Sequence, residues 1–257
     1  MKHILLAAAG LSLVAVPAFA QQVGFEGDVA LSYGFADGDD GDADILDLDL
    51  RGDIFAPQGF GLQANVSYQQ EDYDDGDQDT TAYALMPYYG SRGAKFGGIV
   101  ASHDYDAFDI EQTLLGLGFL YGGTGGFAFE FQFGEGDLDV GSQSTDLDYY
   151  LLELSYEVSP ALTVYFGAQG SDFAELDDIT DDNGVSRYAL GVEYQLGGGA
   201  GGPSPVPVIV TGEAATIDAF GQDDINRFSL GVRIPFGGPA SNGRGRLFET
   251  PKGILEL

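Results

Sequence analysis

The chain has no cysteine and no tryptophan, and it carries only 10 lysines and arginines against 41 acidic residues. Each shortage removes a class of protein. Without cysteine there is no disulfide framework and no thiolate metal site, so the fold must hold through packing or backbone pairing. With a net charge of -31, the basic surface that nucleic-acid binding needs is missing. Histidine is nearly absent too, at 2 residues, which leaves little for base catalysis or zinc binding. No segment has 18 consecutive apolar residues, the length expected of a membrane-spanning helix.

What is present begins with a short basic start, Met1-Lys2-His3, and an apolar run from Ile4 to Val16. Pro17 and Ala18-Phe19-Ala20 follow, with small residues at the positions a signal peptidase reads. This pattern predicts a secretory signal peptide over residues 1–20, cleaved after Ala20. The run is too short to cross about 30 Å of hydrocarbon as a helix.

From Val23 onward, apolar and polar residues alternate in segments separated by turn signals. The clearest is Gly126-Phe-Ala-Phe-Glu-Phe-Gln-Phe-Gly134, with Phe127, Phe129, Phe131 and Phe133 on every second residue and Ala128, Glu130 and Gln132 between them. Successive side chains of a strand point to opposite faces, so one face is aromatic and the other small or polar. Leu46, Leu48 and Leu50 likewise oppose Asp47, Asp49 and Arg51, and Tyr188, Leu190, Val192 and Tyr194 oppose Arg187 and Glu193. Twelve such segments of about ten residues fit the ~9–11-residue strands and even strand numbers of transmembrane barrels. In Thr81–Tyr89 either face reads as the apolar one, and the register over residues 79–122 is open. A soluble β-sandwich alternates as well.

The connections separate the two architectures. Alternate links, Ala36–Ala43, Gln70–Thr80, Asp104–Asp109, Glu135–Asp148, Asp172–Gly184 and Ala214–Ile225, hold 27 of the 41 acids and no Lys or Arg. The intervening links, such as Phe55–Gly59 and Gly122–Gly126, hold no acid. Strands running up and down through a membrane place alternate links on opposite sides, with longer loops outside and short turns in the periplasm. The last segment, Ser229-Leu-Gly231-Val-Arg-Ile234-Pro-Phe236, resembles the β-signal that outer-membrane proteins present to their assembly machinery, although 21 residues follow it. Residues 21–236 together resemble a Gram-negative outer-membrane β-barrel of the porin-like kind. The resemblance implies an all-β, antiparallel, up-and-down transmembrane barrel of about 12 strands in the cell outer membrane, reached by export through the periplasm. Its implied partners are outer-membrane lipid and lipopolysaccharide, the barrel-assembly machinery, and small hydrophilic solutes or cations. Ser229, Gly231, Ile234 and Phe236 would carry the assembly signal. The Gly-rich residues 237–257, with Arg244, Arg246 and Lys252, are expected to form a disordered periplasmic tail.

The inward face is the candidate site. Glu26, Asp28, Asp47, Asp49, Arg51, Glu130, Gln132, Glu153, Arg187, Glu193, Arg227 and Arg233 are assigned to it, with Asp53, Glu157, Glu213 and Lys95. One reading is a water-filled lumen whose carboxylates favour cations and pass small hydrophilic solutes by diffusion. The other is a closed structural or surface-binding barrel filled by ion pairs, with Arg227 and Arg233 reaching Glu26 and Asp28. Small inward residues, among them Gly61, Gly116, Gly118 and Gly191, argue for free space. Asp72–Asp79 and Asp177–Asn183 are rich in oxygen ligands, but neither has the EF-hand spacing, so no cofactor is expected beyond divalent cations loosely held at acidic loops. Enzymatic activity is not expected: Ser102 and His103 are neighbours on a strand and point to opposite faces, and His103 is placed at the outer rim.

Overall fold

A computed structural model describes residues 23–38, 41–73, 76–91, 93–106, 110–122, 126–141, 143–173, 184–197, 207–219, 224–237 and 247–252. The signal-peptide segment and Asp177–Asn183 lie outside them. The strands are β1 (Gly24–Gly38), β2 (Gly41–Phe55), β3 (Phe60–Tyr73), β4 (Gly76–Ser91), β5 (Ala94–Tyr105), β6 (Ile110–Gly122), β7 (Phe127–Val140), β8 (Gln143–Ser159), β9 (Leu162–Phe173), β10 (Gly184–Leu196), β11 (Val208–Ala219) and β12 (Ile225–Phe236). Each pairs antiparallel with its chain neighbours, and β12 pairs with β1 to close the barrel. Closure leaves no edge strand, so every strand has a ladder partner on both sides.

The alternation orients the wall as the sequence implies. Leu31, Leu115, Phe131, Leu190 and Leu230 are among the exposed outward side chains, while Glu130, Gln132, Arg187 and Arg233 are buried inside. Such an outer surface is stable against hydrocarbon and unfavourable in water. Outward aromatic pairs cross strand boundaries, as with Phe25 and Phe236, whose ring centroids are 5.7 Å apart. Register settles the ambiguous strand: in β4, Ala82, Ala84, Met86 and Tyr88 face inward and Tyr83, Leu85 and Tyr89 outward. β5 then sets Phe96 and Val100 outward and Lys95 and His103 inward.

The strands are 12 to 17 residues long, not about ten. Most of the acidic links expected as loops are strand. The Glu135–Asp148 stretch holds the end of β7 and the start of β8, with Glu135 paired to Asp148, Asp139 to Ser144 and Val140 to Gln143. Gln70–Thr80 is likewise continuous ladder up to the Tyr73↔Gly76 pair. In these extensions the polarity of the two faces reverses. Asp137, Asp139, Asp146 and Asp148 point outward and are exposed, while Leu138, Leu147 and Tyr149 point inward and are buried. The same exchange sets Asp44 against Ile45, Asp104 against Tyr105, Asp172 against Phe173 and Asp218 against Ile217. Beyond the apolar belt the outer face meets water, so charge belongs outside and the inner face becomes an apolar core. Tyr105, Leu114, Leu138, Leu147, Phe173, Val185 and Ile217 belong to one buried cluster there.

A cation in the middle of the apolar belt should be costly. Leu230→Arg, on the most exposed apolar position of β12, is expected to lower barrel stability in lipid vesicles by about 2–4 kcal/mol. Urea titration followed by heat-dependent gel mobility measures it, and the same substitution at exposed Asp139 should be near neutral.

Candidate functional site: an acid-rich lumen occupied by the C-terminal segment

All twelve lumen candidates face inward. Their partners differ from the pairing expected by proximity of β12 to β1. Asp28 is held by Arg51 through two hydrogen bonds of 2.9 and 3.0 Å. Arg227 reaches over β1 to Asp47, at 2.8 Å, and Arg233 reaches over β11 to Glu193. Arg187 pairs with Glu213 on the adjacent strand. The reason is geometric: inward side chains from nearby strands converge on the barrel interior, so a long arginine finds a carboxylate two strands away. Glu71, assigned by sequence to an acidic link, also faces inward, accepting bonds from Gln69 and Tyr73 at 2.7 Å each.

Gly61, Gly116 and Gly191 do not leave open space. Tyrosines lean across them: a Cβ at Gly61 would lie 2.2 Å from the Tyr88 ring, at Gly191 2.0 Å from Tyr165, and at Gly116 2.1 Å from the Tyr149 hydroxyl. The glycines let rings lie flat on the inner wall. Tyr88 then donates to both oxygens of Asp53 at 2.8 Å. Lys95 Nζ reaches Asp53 at 2.7 Å and sits 4.4 Å from the Tyr88 ring centroid. Asp53 is 0% exposed, so its charge is sustained only by these donors.

The largest difference from expectation is the C-terminal segment. Residues 247–252 are inside the barrel, not in a periplasmic tail. Phe248 is 0% exposed, in the buried cluster with Tyr88 and Ile99, and its ring lies over Gly118, where a Cβ would come within 3.1 Å. Glu249 receives a hydrogen bond from Arg51 at 2.8 Å. An interior too wide to be filled by its own wall has polar groups to satisfy, and the segment takes bonds from Arg51, Gln63, Asn65, Gln132 and Gln169. Beside the segment lies a cavity of about 170 Å³, lined by Asp47, Asp49, Arg51, Glu153 and Glu193 together with the segment.

His103 lies two residues before the outer end of β5, on the inner face, fully buried and stacked on Tyr105 at 6.5 Å between centroids. Ser102 lies on the other face of β5, so the two do not meet. Among the described residues no three His, Cys, Asp or Glu side chains are grouped as a metal site.

No protein-family model matches the sequence, and no curated protein matches it. Solved structures do. The NanC porin superposes with a TM-score of 0.61 at 10% identity, covering 80% of this chain and 98% of that one. The KdgM porin, solved alone and in complex with disordered oligogalacturonate, superposes with a TM-score of 0.53 in both structures, at 12% and 11% identity, covering 81% of this chain and 99% of that one.

Removing the cation from the Asp53 cluster tests its energetics. Lys95→Met should cost about 3–5 kcal/mol by stranding a buried carboxylate, and Asp53→Leu combined with Lys95→Met should recover much of that loss, read from the urea midpoint of the gel-mobility transition. The chain is thus a closed twelve-stranded antiparallel β-barrel with the fold of the NanC and KdgM porins.

Proposed function

We propose that this protein is an outer-membrane barrel of the porin kind that passes small hydrophilic solutes by diffusion, prefers cations, and is closed in the arrangement described. The observation that carries this reading is the inner wall: a cavity bounded by Asp47, Asp49, Glu153, Glu193 and Glu213, inside a surface whose outside is apolar. Inward carboxylates outnumber inward Lys and Arg, so even with every arginine paired the lumen keeps an excess of negative charge that attracts cations. The likeness to NanC and KdgM supports the architecture and, through it, the outer-membrane location. Passage requires both closures to yield, the segment Leu247–Lys252 and the apolar cluster of the strand extensions, which Phe248 joins. Apolar constrictions of that kind gate by dewetting.

A second reading is favoured by the same two closures. In it the barrel is permanently closed and structural, and its acidic extensions contact the outside. Exposed carboxylates such as Asp137, Asp139 and Asp146 would then share divalent cations with lipopolysaccharide phosphates, both being hard oxygen ligands.

Planar-bilayer recording of the full chain separates the two. The channel reading expects unitary steps with cation over anion permeability. Glu153→Gln and Glu193→Gln should reduce that preference, more at low than at high salt because screening weakens the field. Silence at every voltage would leave the closed barrel.

A further inference from the structure

Residues 248–252 are not merely packed into the lumen: their backbone is read by it. Gln63 donates to the Phe248 carbonyl at 2.6 Å and accepts from the Phe248 N–H at 2.8 Å. The next residue is clamped from another wall. The Glu249 N–H donates to both Glu130 oxygens at 3.0 and 3.2 Å, and Gln132 donates to the Glu249 carbonyl at 2.8 Å. Further in, Gln169 donates to the Lys252 carbonyl at 2.6 Å and accepts from the Lys252 N–H at 3.2 Å. In an extended chain the N–H and C=O of one residue point the same way and those of the next point oppositely. The clamps on Phe248 and Glu249, from β3 and β7, have that arrangement. Primary amides satisfy a peptide group on both its donor and acceptor sides, as a neighbouring strand would.

We propose that this wall is an extended-peptide binding site, filled in cis by the chain's own C-terminal segment and open to a peptide in trans when that segment leaves. Backbone clamping contributes affinity for any extended chain, and two side-chain seats, on which recognition of a particular sequence depends, add the selectivity. One is the Phe248 pocket formed by Tyr88, Ile99 and Gly118. The other is Arg51, which takes the Glu249 carboxylate. Asn65 adds a bond to the Thr250 hydroxyl at 2.7 Å. The ligand class is an extended peptide with an aromatic residue followed by an acid. The site does not depend on whether the barrel conducts.

Because the chain has no cysteine, Thr250→Cys in the full-length barrel reports on the segment alone. Its labelling by a water-soluble maleimide is expected to be at least tenfold slower than that of Gln58→Cys, on an exposed turn. Added peptide of sequence Leu-Phe-Glu-Thr-Pro-Lys should speed labelling in a dose-dependent way by holding the site while the segment is out, and a scrambled peptide should not. Gln63→Ala or Phe248→Ala in the same background should speed it at least tenfold without peptide, in barrels that keep heat-dependent mobility. Labelling as fast as Gln58→Cys in the unaltered barrel would overturn the proposal, since the segment would not be seated. Slow labelling unmoved by millimolar peptide would overturn it equally, since the segment would then be a fixed part of the wall.

Discussion

A backbone amide in hydrocarbon has no water to bond, so each N–H and C=O must find its partner within the protein. For a chain of strands this forces closure, and closure couples everything else. The pairing of β12 with β1 completes the ladder, and with it each strand acquires one face toward the surroundings and one toward the interior. The side-chain alternation then has no freedom: a slip of one residue would turn Glu130 into the apolar belt and Phe131 into the lumen. The outer face follows its solvent along the strand, apolar in the belt and acidic beyond it. The inner face does the opposite, ion-paired at mid-height and apolar where the strands extend into water.

The interior has to be filled as well as enclosed. Eight strands are filled by side chains alone and sixteen to eighteen leave a channel; twelve fall between. This barrel uses three devices. Tyr88, Tyr149 and Tyr165 lie flat over inward glycines. Arginines on β2, β10 and β12 span to carboxylates. The chain's own residues 247–252 thread the remaining space, and their peptide groups take the place of water for Gln63, Gln132 and Gln169. The buried ion pairs Arg51–Asp28, Lys95–Asp53 and Arg233–Glu193 are tolerated because each charge arrives with its partner. The same partners hold the segment, so occupancy of the lumen and stability of its charged wall are linked.

Much of the architecture is legible in the amino-acid sequence. Period-two alternation around Phe127–Phe133, the even number of segments and the alternating charge of the links are local signals, and a face is decided by local alternation once its surroundings are named. The inward orientation of the twelve lumen residues is legible for the same reason. The acidic extensions are not, because Asp137-Leu-Asp139 and Asp146-Leu-Asp148 alternate with the opposite sense and read as loop when only the belt's sense is sought. Nor are the partners of Arg227 and Arg233, which depend on which carboxylates converge across the interior.

Strand periodicity and solvent preference act residue by residue, so an apolar outside and an acid-rich inside follow from the local alternation of side chains. What fills the interior follows from contacts that form across the closed wall. Whether an inward glycine is empty or covered by a ring, and whether residues 247–252 trail away or return to the lumen, depends on contacts between positions as much as 198 residues apart, such as Arg51 and Glu249. No local pattern encodes such a contact, because its energy exists only once the wall has closed around it.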